Sequence, residues 1–423
     1  MIKIEIYNLQ FDPTWDYKTD NTTYLTHDIH YYPAKFIPQI ARRLIEEYSS
    51  EGDIILDPFV GSGTTLLEAR LSNRNAIGVD LNPIAYIVSY VKSNPFPPNK
   101  LQNLWNNFYQ QISDKSFDNI PLYSLSEKQL KVFNNWIPLK QLMDMRKLFY
   151  LITTQEDKDF SMFLTVAFSH IQKKCSWWNM KSIKPLRDFN KNVPDVRETF
   201  IKHINKMIRK NNELYKILEN NNTCARVIKG NAKYLSSFLK EQVDMVLFSP
   251  PYATSYEYLD VHKLSVLWLE DVDFIKELKK EFIGTKSISN ITENIILPGM
   301  AIEIFSSLKE KDKRLGVAVE KYFYDMWKVF KEIQKIIKYE KYITIVIGNT
   351  SLRGVYINNA QVFIDMMEEQ GYKIEKVIKR RIWGKNLPST RDPKTGKFIS
   401  VKNKKDIKHT YKYEFIIVGK WQG

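Results

Sequence analysis

The nine residues Asp57-Pro58-Phe59-Val60-Gly61-Ser62-Gly63-Thr64-Thr65 follow the apolar run Asp53-Ile54-Ile55-Leu56. A second motif, Ser249-Pro250-Pro251-Tyr252, follows the apolar run 243–248, Val-Asp-Met-Val-Leu-Phe. Each run reads as a strand closed by a turn. A glycine-rich turn after a strand lets backbone approach a ligand closely, because glycine has no side chain in the way. A Pro-Pro pair fixes an extended backbone and leaves carbonyl oxygens without ladder partners. Such carbonyls can accept hydrogen bonds from a planar exocyclic amine.

The surrounding pattern places both turns in one sheet. Residues 38–48 (PQIARRLIEEY) carry apolar positions at helical spacing and predict an amphipathic helix before the first strand. A helix over about 64–72 and a strand over 75–79 ending in Asp80 follow the glycine turn. Strand, glycine turn, helix, strand and acid is the start of a nucleotide-binding α/β sheet. After the proline cluster at 95–98 the chain turns helical in period, basic and tryptophan-bearing until about 225. Strand character returns at 225–228 and 243–248, so a helical module splits the sheet domain. A second helical excursion covers about 256–335, then a strand at 342–347, a helix near 359–370, a strand near 373–382 and a last strand at 413–418. The expected boundaries are 1–93, an insert at 94–224, and 225–423.

Charge narrows the partner. The chain of 423 residues has a formal charge of +15, which favours a polyanion. Residues 91–228 hold 22 Lys/Arg against 12 Asp/Glu, and residues 373–412 hold 14 against 3. The rest of the chain is net acidic, so the cations form two blocks outside the turn motifs, as expected of separate elements gripping a phosphate backbone. Cys175 and Cys224 suit neither a disulfide framework nor a zinc site. The sequence shows neither an N-terminal apolar leader nor a stretch of 18 apolar residues. A cytoplasmic protein with no membrane partner is the expectation.

Together these motifs resemble the DNA amino-methyltransferases (cytosine-N4/adenine-N6) of restriction–modification systems, over about 1–93 and 225–423. The resemblance implies a Rossmann-like class I methyltransferase sheet with an inserted mainly helical domain for target recognition. It implies S-adenosyl-L-methionine as cofactor and double-stranded DNA as partner, with room for a cognate restriction endonuclease acting on the same site. On this resemblance Asp57, Pro58, Phe59, Gly61, Gly63 and Thr64 form the cofactor turn, Asp80 takes the ribose hydroxyls, and Asn231 sits by the adenine ring. The stretch 27–36, HDIHYYPAKF, is similar to the motif at the methionine end of the cofactor and offers His30, Lys35 and Phe36. The motif order departs from the commonest N4-cytosine arrangement, in which the Pro-Pro-Tyr element precedes the glycine turn.

The exocyclic amine of a base is a poor nucleophile because its lone pair is delocalised into the ring. Two fixed acceptors on its N–H groups favour a pyramidal nitrogen, and here these would be the Ser249 hydroxyl and the Pro250 carbonyl, with Pro251 shaping the turn. Tyr252 would stack on a base flipped out of the duplex. Serine at the first position is typical of cytosine-N4 enzymes, and Asp or Asn of adenine-N6 enzymes. A cytosine-C5 mechanism needs a thiol, generally after proline; Cys175 follows Lys174, and Cys224 follows Thr223.

For DNA contact, Lys173, Lys174, Trp177, Trp178 and Asn179 combine cations, aromatics and an amide. Arg380, Arg381, Trp383, Lys385, Asn386 and Arg391 lead into a charged β-hairpin tip at 392–397. Two other functions use similar motifs. An RNA exocyclic-amine methyltransferase usually adds a recognisable RNA-binding domain, and none is evident. A non-catalytic cofactor-binding specificity subunit would not need an intact Ser249–Tyr252 motif.

Overall fold

The computed structural model describes residues 6–33, 36–182, 185–253, 258–285, 295–383, 390–391, 408–409 and 413–423. Seven strands build the central sheet: β1 Ile54–Asp57, β2 Asn75–Asp80, β3 Ala225–Lys229, β4 Val243–Phe248, β5 Ile337–Ile347, β6 Tyr372–Arg381 and β7 Tyr413–Trp421. Their order is β3-β2-β1-β4-β5-β7-β6. β1 runs parallel to β2 and β4, β2 to β3, and β4 to β5. β7 lies antiparallel between β5 and β6. This is the Rossmann-like methyltransferase sheet, with its reversed last hairpin.

The central strands β1 and β4 and the second half of β5 read as nearly continuous apolar runs because both faces of a parallel sheet are covered there. Successive side chains point to opposite faces. Ile55, Met245, Val346 and Ile416 pack with Ile40 and Leu44 of α1 (Pro38–Tyr48) and Leu66 of α2 (Thr64–Leu71). Leu56, Val246, Ile345 and Ile417 pack on the other side with Phe323 and Phe330 of the helix Lys313–Gln334 and Phe363 of the helix Asn359–Glu369.

The expected insert is helical: Pro98–Ser113, Glu127–Asn134, Leu139–Thr153, Lys158–Ile171 and Val196–Leu218. Its hydrophobic core does not stop at residues 94 and 224. Phe108, Phe149, Phe168 and Phe200 share one cluster with Ile84 and Val88 of α3 (Pro83–Ser93) and with Leu264 and Leu278 from beyond β4. Trp268 closes that core, its ring 4.7 Å from Phe133 and about 5 Å from Phe149 and Phe168.

The N-terminal segment covers the sheet edge. Phe11 bridges to Lys379 of β6, and the Asp12 amide donates to the Lys379 carbonyl at 2.9 Å. Among the described residues no helix is long and apolar enough to cross a membrane, and no group of three or more His, Cys, Asp or Glu is arranged to hold a metal.

Candidate active site

The end of β1 and the start of α2 form a cradle built on hydrogen bonds to backbone. Asp57 accepts from the Phe59 amide (3.0 Å) and from the Thr65 hydroxyl (2.6 Å), which ties the turn to the first turn of α2. The Val60 amide donates to the Val79 carbonyl of β2. Asp80 accepts from the Gly61 amide and the Asn82 amide, both at 2.9 Å. The loop after β1 is thus held by the acid at the end of β2. Gly61 and Gly63 adopt left-handed φ values of +48° and +79°. A Cβ on Gly63 would lie 2.8 Å from the Ser89 Cα of α3, so its absence is what lets the two helices meet.

A cleft of about 830 Å³, including space open to solvent, lies over this cradle. Its floor is Asp57 to Ser62, Thr64, Asp80 and Leu81. One wall is Tyr32, Pro33 and Phe36; another is Gly230 to Ala232; the far side is Ser249, Pro251, Phe282 and Ile283. The two motifs, nearly two hundred residues apart in the chain, therefore face one cavity. Pro250 is buried and Tyr252 half-buried just beyond. The Tyr252 hydroxyl accepts from the Gly348 amide at the end of β5 (3.1 Å), and the Tyr252 carbonyl sits where a Cβ on Gly284 would be 2.8 Å away.

Burial dominates the electrostatics. It pushes the Asp57 carboxyl up to about 7, with the neighbouring Asp80 adding to the shift, and the Asp80 carboxyl up to about 6. Backbone amides on both acids work against the rise. Ser62 Oγ and Thr64 Oγ1 are buried without a hydrogen-bond partner, although both residues line the cleft. Buried hydroxyls left in this way await a polar ligand.

A family model described as a DNA methylase matches residues 6–92, which span the N-terminal wall, the cradle and Asp80. The type II methyltransferase M.MvaI of Kocuria varians is 27% identical over 399 residues, covering 88% of this chain and 87% of that protein. M.BsoBI of Geobacillus stearothermophilus, also a type II methyltransferase, is 26% identical over 59% of this chain and 54% of its own length. M.MjaII of Methanocaldococcus jannaschii is 35% identical over 99 residues, 23% of this chain and 19% of its own. These likenesses support the DNA amino-methyltransferase family of the restriction–modification type. S-adenosyl-L-methionine is the cofactor of that family, and the pocket of this methyltransferase fits it. A carboxylate and two unpartnered hydroxyls suit a ligand with ribose and amino-acid ends, and Phe59, Leu81, Phe282 and Ile283 give its rings an apolar bed.

Several sequence-predicted residues sit elsewhere. Gly63 is absent from the cleft wall and serves the packing of α2 on α3. His30 also lies off the wall. It is buried in a histidine cluster, its Nε2 2.8 Å from Ser169 Oγ and its ring 5.8 Å from those of His170 and His262. Its expected place is taken by Tyr32 and Pro33 of the same motif. Lys35 lies outside the described residues, as do Lys385 and Asn386. Asn231 lines the cleft with its amide already engaged: Oδ1 accepts from the Lys233 amide, and Nδ2 donates to Glu281. Phe282 and Ile283 were missed altogether. They lie thirty residues beyond the Pro-Pro-Tyr motif, and no local pattern marks them.

Of the expected DNA face, Trp178 is a core residue, 1% exposed, its ring tilted by 35° against that of Trp136 at 5.1 Å. Trp177 is half-buried, Lys174 exposed, and Lys173 lies 4.6 Å over the Trp178 ring. Arg380 is a further correction. Only 3% exposed, it ion-pairs with Glu414 and donates to the carbonyls of Trp15 (2.6 Å) and Asp16 (3.0 Å). Its guanidinium binds the N-terminal segment to the last two strands. Arg380→Ala is expected to cost about 3–5 kcal/mol in urea unfolding, because Glu414 is left buried and unpaired. Exposed Arg381, over the Phe11 ring at 4.7 Å, is the control and should cost less than about 1 kcal/mol on truncation. Trp383 is 44% exposed, with its indole N–H on Asp16 at 3.3 Å. Thr390–Arg391 pair antiparallel with Lys408–His409, while the hairpin tip lies outside the described residues.

Proposed function

We propose that this methyltransferase transfers a methyl group to the exocyclic N4 amine of a cytosine flipped out of double-stranded DNA. The observation that carries the reading is Ser249, at the mouth of β4, lining the same cleft as the Asp57–Thr64 cradle and Asp80. The bound cofactor supplies an electrophilic methyl group. The protein's own residues hold the amine. The Ser249 hydroxyl and Pro250 carbonyl accept its two N–H bonds, which returns the lone pair to nitrogen and aims it along the line of attack. Tyr252, anchored by Gly348, presents its ring to the flipped base. As the N–C bond forms, the C–S bond breaks, and the amine releases one proton to solvent. A strong base is not required. His262, buried with its pKa lowered to about 3 chiefly by burial, serves as packing.

Digesting the DNA of an expressing host to nucleosides tests the reading. N4-methylcytosine is expected. N6-methyladenine alone would assign the same mechanism to adenine, and neither product would remove the DNA reading. Sequencing the modified genome identifies the site.

Cofactor affinity should depend on pH through Asp80. The buried carboxyl of the free protein protonates near 6, and ribose hydroxyls donate to its ionised form. Below that pH binding must first expel a proton, so affinity is expected to fall by up to about tenfold per pH unit. Both raised carboxyls hold protons more tightly folded than unfolded. The free protein therefore loses stability as pH rises from the ordinary carboxylate range through about 6 and 7. Calorimetric titration with the cofactor at pH 5, 6 and 7.5 checks this; an affinity flat across that range, or a slope kept in Asp80→Asn, would exclude Asp80.

A further inference from the structure

Residues 281–284 form a short strap that touches both halves of the cleft. The strap begins at the last residue of the helix Val272–Glu281. Glu281 Oε2 accepts from Asn231 Nδ2 (3.2 Å) and from Lys233 Nζ (3.4 Å), both in the loop after β3. Phe282 and Ile283 line the cleft. Gly284 is buried at a left-handed φ of +79°, and a Cβ there would lie 2.8 Å from the Tyr252 carbonyl oxygen. Four consecutive residues therefore reach from the cofactor wall to the tyrosine of the second motif.

Charge explains the anchor at Glu281. Lys233 is 8% exposed, and its Nζ also lies 3.9 Å from Asp325 of the helix Lys313–Gln334. Asp325 in turn pairs with Lys321, itself buried. Two buried ammonium groups facing Asp325 alone would leave one charge uncompensated, which is costly away from water. Glu281 supplies the second carboxylate, so the end of its helix is drawn onto the loop after β3.

At its other end the strap bears on a side chain already fixed at the tip. The Tyr252 hydroxyl accepts from the Gly348 amide at 3.1 Å, while the Tyr252 backbone is seated against Gly284. A displaced strap would move the backbone end with the hydroxyl still pinned, and the ring would turn.

We infer that Glu281 is a positioning residue for methyl transfer, anchoring the strap so that Gly284 seats Tyr252 at the angle the target base requires. The inference rests on the reading of Tyr252 as the surface that receives the flipped base.

The test measures single-turnover transfer of a labelled methyl group by the full chain to DNA from a host lacking the enzyme. Cofactor and DNA are saturating, and the temperature lies well below the melting point of every variant. Glu281→Ala should lower the rate about tenfold or more, the order of loss that small misplacements at a reacting centre produce. Glu281→Gln keeps an acceptor for Asn231 and Lys233 and should stay within about threefold of wild type. Glu277→Ala, which removes a carboxylate paired with Lys280 on the same helix and 70% exposed, is the control and should keep the wild-type rate. Added to Tyr252→Ala, loss of the Glu281 carboxylate should cost less than about threefold more, because both changes act through one ring. A wild-type rate in Glu281→Ala overturns the inference. So does a second full loss in the double variant, which would mean that Glu281 acts apart from Tyr252. A wild-type protein that labels no DNA overturns the DNA reading itself, and the role of Tyr252 with it.

Discussion

Ser249→Ala is expected to lower single-turnover methyl transfer about 10²–10³-fold with cofactor affinity nearly unchanged, the usual loss when one preorganised partner of a reacting group is removed. The reason lies in the partners. Ser249 lines the cleft, while Asp57 and Asp80 are held by the amides of Phe59, Gly61 and Asn82 and by the Thr65 hydroxyl, none of which involves the serine. Tyr252→Ala should act on the base instead, removing a stacking surface valued at about 1–3 kcal/mol and raising KM for DNA. Tyr252→Phe separates its two roles, because it keeps the ring and loses the bond from the Gly348 amide. Unchanged turnover by Ser249→Ala would remove the serine from the chemistry and with it the argument for cytosine.

Gly63→Ala should be the most destabilising single methyl in the cradle, at about 2–5 kcal/mol. Two costs add there. A left-handed φ of +79° disfavours any side chain, and the new Cβ would lie 2.8 Å from backbone of α3, which cannot rotate aside. Gly52 supplies an internal comparison: φ is +83°, but nothing lies within 4 Å of its Cβ position. Gly52→Ala should cost only about 1 kcal/mol. Urea midpoints of the two variants isolate the steric part, and equal midpoints would mean that α2 and α3 yield freely.

What could be read from the chain followed from local chemistry. β1, β2 and β4 were legible because parallel strands covered on both faces are largely apolar, β3 by its alternating Ala225, Val227 and exposed Arg226, and Pro38 and the apolar spacing mark α1. β5 begins at Ile337, five residues before its expected start, since Lys338, Glu340 and Lys341 disguise the strand. Lys338 and Lys341 in fact pair with Asp244 of β4. Arg380 was misread for a related reason. A cation in a basic stretch looks solvated until the fold brings Glu414 and two carbonyls to it from distant parts of the chain. Tyr32 stands two positions from the chosen His30, and sequence gives no means of telling which of neighbouring aromatics faces a cavity. Phe282 and Ile283 reach the cleft only through the packing of the helices after β4.

The contact of Phe11 and Trp15 with β6 has a consequence for evolution within the family. The segment leading into the cofactor half rests on β6 at Lys379–Arg381, and the last strand runs along the same β6 to pair Trp421 with Tyr372, so both ends of the sheet domain's path lie along one strand at the sheet edge. Linking those ends and opening the chain within the helical insert would leave every strand neighbour in place while putting the Pro-Pro-Tyr motif first. The two motif orders are then cyclic rearrangements of one loop of chain around an unchanged sheet, reachable by gene duplication and trimming without rebuilding the site.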